Sequence, residues 1–213
     1  MKRFLLIAVL AVLSLPVRSD LRAQTSDFYV RINGTTGFPI SPEQFRERYE
    51  SALGGGVTVG YLLFTGIELT ADVSLQRYLV KDDSAATAVF DRAYTDGSGP
   101  FYGGDALFLT GMLGGRFHLT NDSPISGHLL LEAGFQRVST TTETVQEQNN
   151  QTRIPGTNEI SPIVSAGVGT MITLTRNVGV YAQASYNVAF ADETMHYVPV
   201  KAGLIFRVGS TNW

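Results

Sequence analysis

The chain contains no cysteine, and charged residues make up only 16% of its 213 residues. Without cysteine no disulfide can form after export, and no lipid can be attached to a cysteine near the N-terminus. The charged fraction lies below the usual quarter or so of a soluble domain. No apolar run beyond the N-terminal segment approaches the roughly 18 residues of a transmembrane helix. A disulfide framework and a helical membrane protein are therefore both excluded.

The N-terminus predicts a targeting segment rather than part of the fold. Basic residues begin the chain, and the apolar stretch 4–15 follows them. Cleavage fits after Ala23 or after Ser19. We expect a signal peptide at 1–23 and one mature domain at 24–213.

The net charge argues against nucleic acid as a partner. The full chain has 16 Lys and Arg against 19 Asp and Glu, which gives −3. Cleavage after residue 23 removes four basic residues and one acidic residue, so the mature balance is 12 against 18, or −6. The residues removed are Lys2, Arg3, Arg18, Arg22 and Asp20. Because nucleic-acid affinity depends on clustered Lys and Arg, we expect no such partner.

What the sequence does contain is a regular alternation of apolar with polar or small residues, clearest near the C-terminus. Within 197–208 the apolar positions are Val198, Val200, Ala202, Leu204, Phe206 and Val208. A period of two residues indicates a β-strand with two different faces. Such a strand is long for a soluble sheet, but about 9–11 tilted residues span the hydrocarbon of a bilayer. The pattern therefore favours a membrane-spanning strand.

The same period predicts eight strands along the chain. They are 27–33, 54–63, 66–80, 105–118, 127–140, 159–175, 177–190 and 197–208. Long connections at 34–53, 81–104 and 141–158 alternate with shorter ones. Outer-membrane barrels have short periplasmic turns and longer extracellular loops. The predicted fold is therefore all-β: an eight-stranded antiparallel up-and-down transmembrane β-barrel with both termini in the periplasm.

A soluble eight-stranded barrel of the lipocalin kind is the alternative fold. It would turn its apolar residues inward, and it would have little reason to sort its connections by length. The membrane barrel is the preferred interpretation.

The first long loop predicts a short helix at the barrel mouth. The run from Ser41 to Gln44 reads as a capping box with proline at the first helical position. Phe45, Tyr49 and Leu53 then recur at helical spacing. The other two long loops are polar and are expected to be mobile.

The polar faces of the predicted strands carry seven ionisable residues that would point into the barrel. They are Arg31, Glu68, Asp72, Arg116, Glu132, Lys201 and Arg207. An eight-stranded barrel is just wide enough for its own side chains, whereas an open channel needs about 16 strands. Buried charges then have to pair. We expect a structural network rather than a catalytic or ion-conducting site, with Arg116 between Glu68 or Asp72 on one side and Glu132 on the other.

The three histidines offer little for metal binding. His118 and His128 are predicted to face inward on adjacent strands, near the periplasmic turn. Two ligands without a third are weak evidence for a metal site, so a hydrogen-bonded structural pair is preferred. His196 falls in the last connection. We predict no catalytic residue, no metal and no cofactor.

The C-terminal segment resembles the insertion signal of bacterial outer-membrane barrels. Its polar, glycine, aromatic and apolar positions are Lys201, Gly203, Phe206 and Val208. The strand pattern of the mature chain resembles the small outer-membrane β-barrels of the OmpA/OmpX type, and particularly the porin-family barrels of Bacteroidetes-like bacteria. This resemblance is sharpest over 166–208, and 41–57 is similar to the helix-then-glycine entry into the second strand of those proteins.

The resemblance implies a non-enzymatic protein of the outer membrane, acting in envelope structure and in surface contact through its loops. Its expected partners are outer-membrane lipid, the barrel-assembly machinery during insertion and an extracellular ligand of unknown identity, and we expect a monomer. The alternative is a lipid A-modifying enzyme, either a deacylase or an acyltransferase. Some eight-stranded barrels of that class place a histidine and a serine near the outer rim. The chain contains no His-x-Ser motif. The nearest sequence, His118-Leu-Thr120, lies at the predicted periplasmic end.

Overall fold

The computed structural model describes residues 28–64, 66–81, 104–119, 124–141, 143–147, 150–154, 156 and 158–208. The predicted signal peptide and most of the predicted loop 81–104 lie outside the described residues. The elements are β1 (Phe28–Ser41), α1 (Glu43–Arg48), β2 (Ala52–Phe64), β3 (Ile67–Tyr78), β4 (Ala106–His118), β5 (Ile125–Thr140), β6 (Glu143–Glu147), β7 (Asn150–Ile154), β8 (Asn158–Thr173), β9 (Val178–Phe190) and β10 (Thr194–Val208).

Eight of these strands form a closed barrel in the order β1–β10–β9–β8–β5–β4–β3–β2. Every neighbouring pair is antiparallel. The first and last strands close the barrel, in a register that runs from Phe28 opposite Val208 to Ser41 opposite His196. The predicted eight-stranded up-and-down barrel is confirmed.

Side chains alternate between the two surfaces of the barrel wall. On β3 the exposed residues are Ile67, Leu69, Ala71, Val73 and Leu75, and the buried residues between them are Glu68, Thr70, Asp72, Ser74 and Gln76. Apolar residues therefore face outward and polar residues face inward. This is the reverse of a soluble barrel and is the arrangement that surrounding hydrocarbon requires. The lipocalin-like alternative is wrong.

The two ends of the barrel differ in their connections. At one end the connections are 65–66, 119–124 and 174–177, and β1 begins and β10 ends beside them. At the other end are 42–51, 79–105, 141–157 and the brief connection 191–193. We call these the short-turn end and the long-loop end. Barrels of this type place the short turns in the periplasm.

β1 is longer than predicted, because pairing continues past Asn33 to Ser41. Residues 34–37 have the composition of a turn, yet they pair with β2 on one side and with β10 on the other. Two flanking ladders outweigh the weak strand propensity of glycine. The predicted loop 34–53 therefore shrinks to 42–51.

The predicted helix is present as α1, but its start differs from the prediction. Pro42 is the N-cap and no side chain caps the helix, so the capping box that began with Ser41 is wrong. Phe45 and Tyr49 are buried, whereas Leu53 lies on β2 and is 72% exposed. Within the described ranges, no helix is long and apolar enough to cross a membrane.

Two connections also differ from their predicted form. β2 continues to Phe64, which places the turn into β3 one residue later than predicted. Gly66 in this turn has φ of 89°, a conformation that favours glycine. In the third long loop, β6 and β7 pair as a separate two-stranded antiparallel ribbon.

Candidate functional site: the barrel interior

The inward charges meet near the short-turn end in a cluster centred on Glu68, which is 0% exposed. Arg31 donates two hydrogen bonds to this carboxylate, from Nη1 to Oε1 at 2.5 Å and from Nη2 to Oε2 at 2.7 Å. His118 Nε2 lies 3.0 Å from Oε2. Bidentate arginine–carboxylate pairs are among the strongest charge-assisted hydrogen bonds. Arg31, on β1 and separated from β3 by β2, is therefore the main partner of Glu68.

Arg116 lies inside the barrel, 2% exposed, and reaches across it. Its Nη1 is 3.8 Å from Glu68 Oε1, and its Nη2 donates to Oε1 of Gln183 on β9 at 2.9 Å. His128 Nε2 lies 3.4 Å from the same Gln183 oxygen. The predicted proximity to Glu68 is met, but Gln183 takes the place predicted for a second carboxylate. We name Arg31, Glu68, Arg116 and Gln183 the Glu68 layer.

The remaining predicted acids bind other partners. Lys201 Nζ donates to Asp72 Oδ1 at 2.7 Å, and Thr58 Oγ1 donates to Asp72 Oδ2 at 2.6 Å. Glu132 accepts a hydrogen bond from Thr70 Oγ1 at 2.9 Å. Lys201 is on β10 and Asp72 on β3, strands that are not neighbours. Reasoning from adjacent strands therefore could not find this pair.

The residues of the C-terminal signal divide between the two surfaces of the wall. Lys201 is buried inside, and a Cβ added to Gly203 would overlap the Ile32 carbonyl. Phe206 is half-buried and Val208 is exposed. Their role as an insertion signal stays a prediction.

A glycine makes room for the central ion pair. A Cβ at Gly60 would overlap Glu68 Oε1 and lie 2.9 Å from Arg31 Nη1. We expect Gly60→Ala to displace this pair and to lower the free energy of unfolding by about 1–3 kcal/mol, as overpacked sites do. The measurement is the urea concentration at which half of the barrel is unfolded, followed by the gel band of the folded protein. Gly34→Ala is the matched control, because nothing lies within 4 Å of its added Cβ. Equal midpoints for the two variants would contradict the assignment.

The long-loop end is closed by aromatic side chains, one of which α1 brings over the mouth. Phe45 packs on Tyr78 and Phe108, with ring centroids 5.2 and 5.7 Å apart. Tyr197 packs edge-to-face against Phe108, with ring centroids 5.8 Å apart. Phe45, Tyr49, Tyr78, Phe108 and Tyr197, here called the aromatic plug, are all 0% exposed. The signal that could have revealed Tyr78, Phe108 and Tyr197 is a large aromatic residue in the inward phase of a strand.

The plug and the Glu68 layer fill the barrel at two levels. Both consist of side chains that contact each other and are almost fully buried. Among the described residues, no group of three or more His, Asp or Glu could hold a metal ion. The arrangement fixes the wall strands relative to one another and leaves the charged groups engaged with protein partners.

Solved structures with the same architecture come from several bacteria. Neisserial surface protein A gives a TM-score of 0.56 at 15% identity, over 85% of this chain and 97% of that chain. A major outer membrane protein from Thermus thermophilus gives 0.55 at 13%, over 87% and 100%. The outer membrane protein OprG from Pseudomonas aeruginosa gives 0.52 at 10%, over 88% and 98%. The chain has the fold of the small outer-membrane β-barrels.

No protein-family model matches the chain, and no curated protein matches it either. At these sequence identities, the likeness to solved barrels shows the fold of this chain and no activity. The Bacteroidetes-like subgroup therefore stays a prediction.

Aromatic residues lie on the outer surface toward both ends of the barrel. Phe28 and Tyr61 pack 5.0 Å apart at the short-turn end. Toward the long-loop end, the Tyr186 hydroxyl lies 3.0 Å from His196 Nδ1. Amphipathic rings are favoured at the level of lipid headgroups. His196 thus lies on β10, facing outward, rather than in a loop as predicted.

Proposed function

We propose that this protein is a non-enzymatic integral protein of the outer membrane that supports envelope structure and makes surface contacts through its long-loop end. The observation that carries the proposal is an apolar exterior around an interior filled by the Glu68 layer and the aromatic plug. An eight-stranded wall has room for its own side chains and little more. Solute flux and luminal catalysis both need space that these side chains occupy.

The long-loop end supplies the surface for contact with other molecules. It carries α1 and the ribbon of β6 and β7, together with the connections 79–105 and 141–157. Loops held on a rigid scaffold are the usual place for recognition. The remaining proposed partners are outer-membrane lipid around the wall and the barrel-assembly machinery during insertion, with a monomer as the working unit.

Cell fractionation tests the location. We expect the mature chain in the outer-membrane fraction, as a gel band whose migration changes on heating because the folded barrel stays compact in detergent. Recovery as a soluble periplasmic protein would contradict the proposal.

Lipid A analysis tests the absence of enzymatic activity. Overexpression is expected to leave lipid A acylation unchanged. A changed acylation pattern that His196→Ala abolishes would instead establish the lipid-modifying alternative, while a pattern insensitive to that substitution would trace the change to overexpression itself.

A further inference from the structure

The outward face of β5 changes from apolar to polar near the long-loop end. Leu129, Leu131 and Phe135 are exposed on this face, and Arg137 and Ser139 follow them in the same phase. Arg137 is exposed and lies close to the end of the strand. On the lipid side of a barrel, an arginine is costly in the middle of the bilayer and is tolerated near its interfaces. Arg137 therefore belongs to the level at which hydrocarbon gives way to lipid headgroups.

A neighbouring amide fixes the position of this guanidinium. Arg137 Nε donates a hydrogen bond to Asn158 Oδ1 at 2.8 Å, and the Ser139 hydroxyl donates to the same oxygen at 3.4 Å. Asn158 is the first residue of β8 and pairs with Ser139 in the ladder between β5 and β8. Because arginine only donates hydrogen bonds, the amide oxygen has to face it. The amide nitrogen of Asn158 keeps its two N–H groups for a different acceptor.

Arg137 also keeps its positive charge. Its two Nη atoms carry four N–H donors, and among the described residues no carboxylate lies within ion-pair distance of them. Arg77, an exposed arginine on the outward face of β3 near the same end, differs in this respect. Its Nε and Nη2 both donate to Asp105 Oδ2, at 3.1 and 2.5 Å. Asp105 therefore neutralises Arg77, whereas the charge of Arg137 is available to an anion.

Apolar side chains surround Arg137 on the wall. Phe135 is two residues nearer the middle of the bilayer, a distance of about 6.6 Å along a strand, and is 64% exposed. Ile160 pairs with Arg137 from β8 and is 68% exposed, and Leu109 pairs with it from β4. A molecule that contacts both the guanidinium and these side chains has to join an anionic group to a hydrocarbon chain. A lipid has this chemistry, whereas a free anion does not.

We propose that Arg137 and Asn158 form a docking site for the phosphate headgroup of an anionic lipid in the leaflet at the long-loop end. The Nη groups of Arg137 donate to the phosphate oxygens, and the Asn158 amide donates to a further oxygen. An acyl chain lies along Phe135 and Ile160. The inference deepens the proposed function and rests on it, because only a wall placed in the bilayer brings lipid to Arg137.

Native mass spectrometry of the full mature barrel in a nonionic detergent tests the site, with phosphatidic acid as the probe. We expect the dissociation constant of the tightest-bound lipid to rise about tenfold in Arg137→Ala, because the substitution removes charge-assisted hydrogen bonds. Arg77→Ala is the matched control. It should change the constant by less than about twofold, since Asp105 already neutralises that arginine.

Diacylglycerol serves as the second probe, because it carries the acyl chains without the phosphate. It should bind equally to the wild-type barrel and to Arg137→Ala. The heat-dependent gel shift verifies that each variant is folded.

Two results would overturn the proposal. Equal losses of phosphatidic acid in Arg77→Ala and Arg137→Ala would show that the lipid responds only to overall surface charge. Inorganic phosphate that binds at Arg137 as tightly as phosphatidic acid would make the ligand a free ion. Fractionation keeps this test separate from that of the proposed function. A soluble periplasmic protein would contradict both, whereas an outer-membrane barrel that binds phosphatidic acid equally well with and without Arg137 would contradict only the lipid site.

Discussion

Glu68→Gln is expected to lower the free energy of unfolding by about 3–5 kcal/mol, the range observed when one partner of a buried ion pair is removed. The carboxylate is the shared anion for Arg31 and Arg116. The substitution keeps the shape of the side chain, but it removes the carboxylate that the two buried guanidinium groups share and turns an amide N–H₂ toward one of them. The measurement is the urea midpoint of the folded, heat-shiftable band in detergent.

Glu132→Gln is the matched control for that prediction, since both glutamates are buried on inward faces. Glu132 accepts a hydrogen bond from the Thr70 hydroxyl, which a glutamine oxygen can also accept. A loss of about 0–1 kcal/mol is therefore expected. In the Glu68→Gln background, Arg31→Met should restore part of the lost stability by removing one unpaired cation. Equal effects of the two Glu→Gln changes would show that the charge of Glu68 is not what holds its layer together.

Phe45→Ala is expected to lower the free energy of unfolding by about 3–5 kcal/mol, the usual cost of deleting a buried Phe side chain. Phe45 is 0% exposed and packs on two aromatic rings of the wall. Its removal takes away the ring contacts that pack α1 over the mouth and leaves the hydrogen bonds from Lys81 to the carbonyls of Arg46 and Arg48. Proteolysis within 42–51 should become faster for the same reason, which peptide mapping of the folded barrel would reveal.

Leu53→Ala is the control for the plug, because Leu53 was predicted on the same helical face but faces outward. It should leave the protease sensitivity of 42–51 unchanged.

Phe45→Ala should also leave ion conductance across planar bilayers at background, because the Glu68 layer still fills the barrel below. A conducting Phe45→Ala barrel would show that the plug alone seals the interior, and would contradict this account of the Glu68 layer.

Strand positions could be predicted from the sequence because a wall with lipid outside and polar groups inside imposes one strict period. The alternation around Leu69, Asp72 and Leu113 is such a case. The prediction failed where composition and environment disagree. Residues 34–37 look like a turn, but neighbouring strands on both sides supply ladder partners, and the chain stays extended. The sequences of β6 and β7 are mostly polar and show no alternation of apolar and polar residues that could predict the ribbon.

The inward residues could also be found by period, but their partners could not. Interior contacts in a narrow barrel cross from wall to wall, as Arg116 does to Gln183 and Lys201 does to Asp72. Such pairs depend on tilt and register, which the local pattern does not contain. The aromatic plug could not be predicted for another reason. Helical spacing places Phe45 in a short helix at the barrel mouth, but its burial depends on contacts with Tyr78 and Phe108, which lie far away in the sequence.

The seam between β1 and β10 has a consequence for how this chain reaches its native state. The first strand of the wall has no partner on one side until the last strand has emerged, because Phe28 pairs with Val208. Local contacts alone therefore cannot complete the structure. Chains that depend on contacts between residues this distant in sequence fold slowly. Until β1 and β10 meet, a partly formed wall leaves open strand edges, which are prone to aggregation.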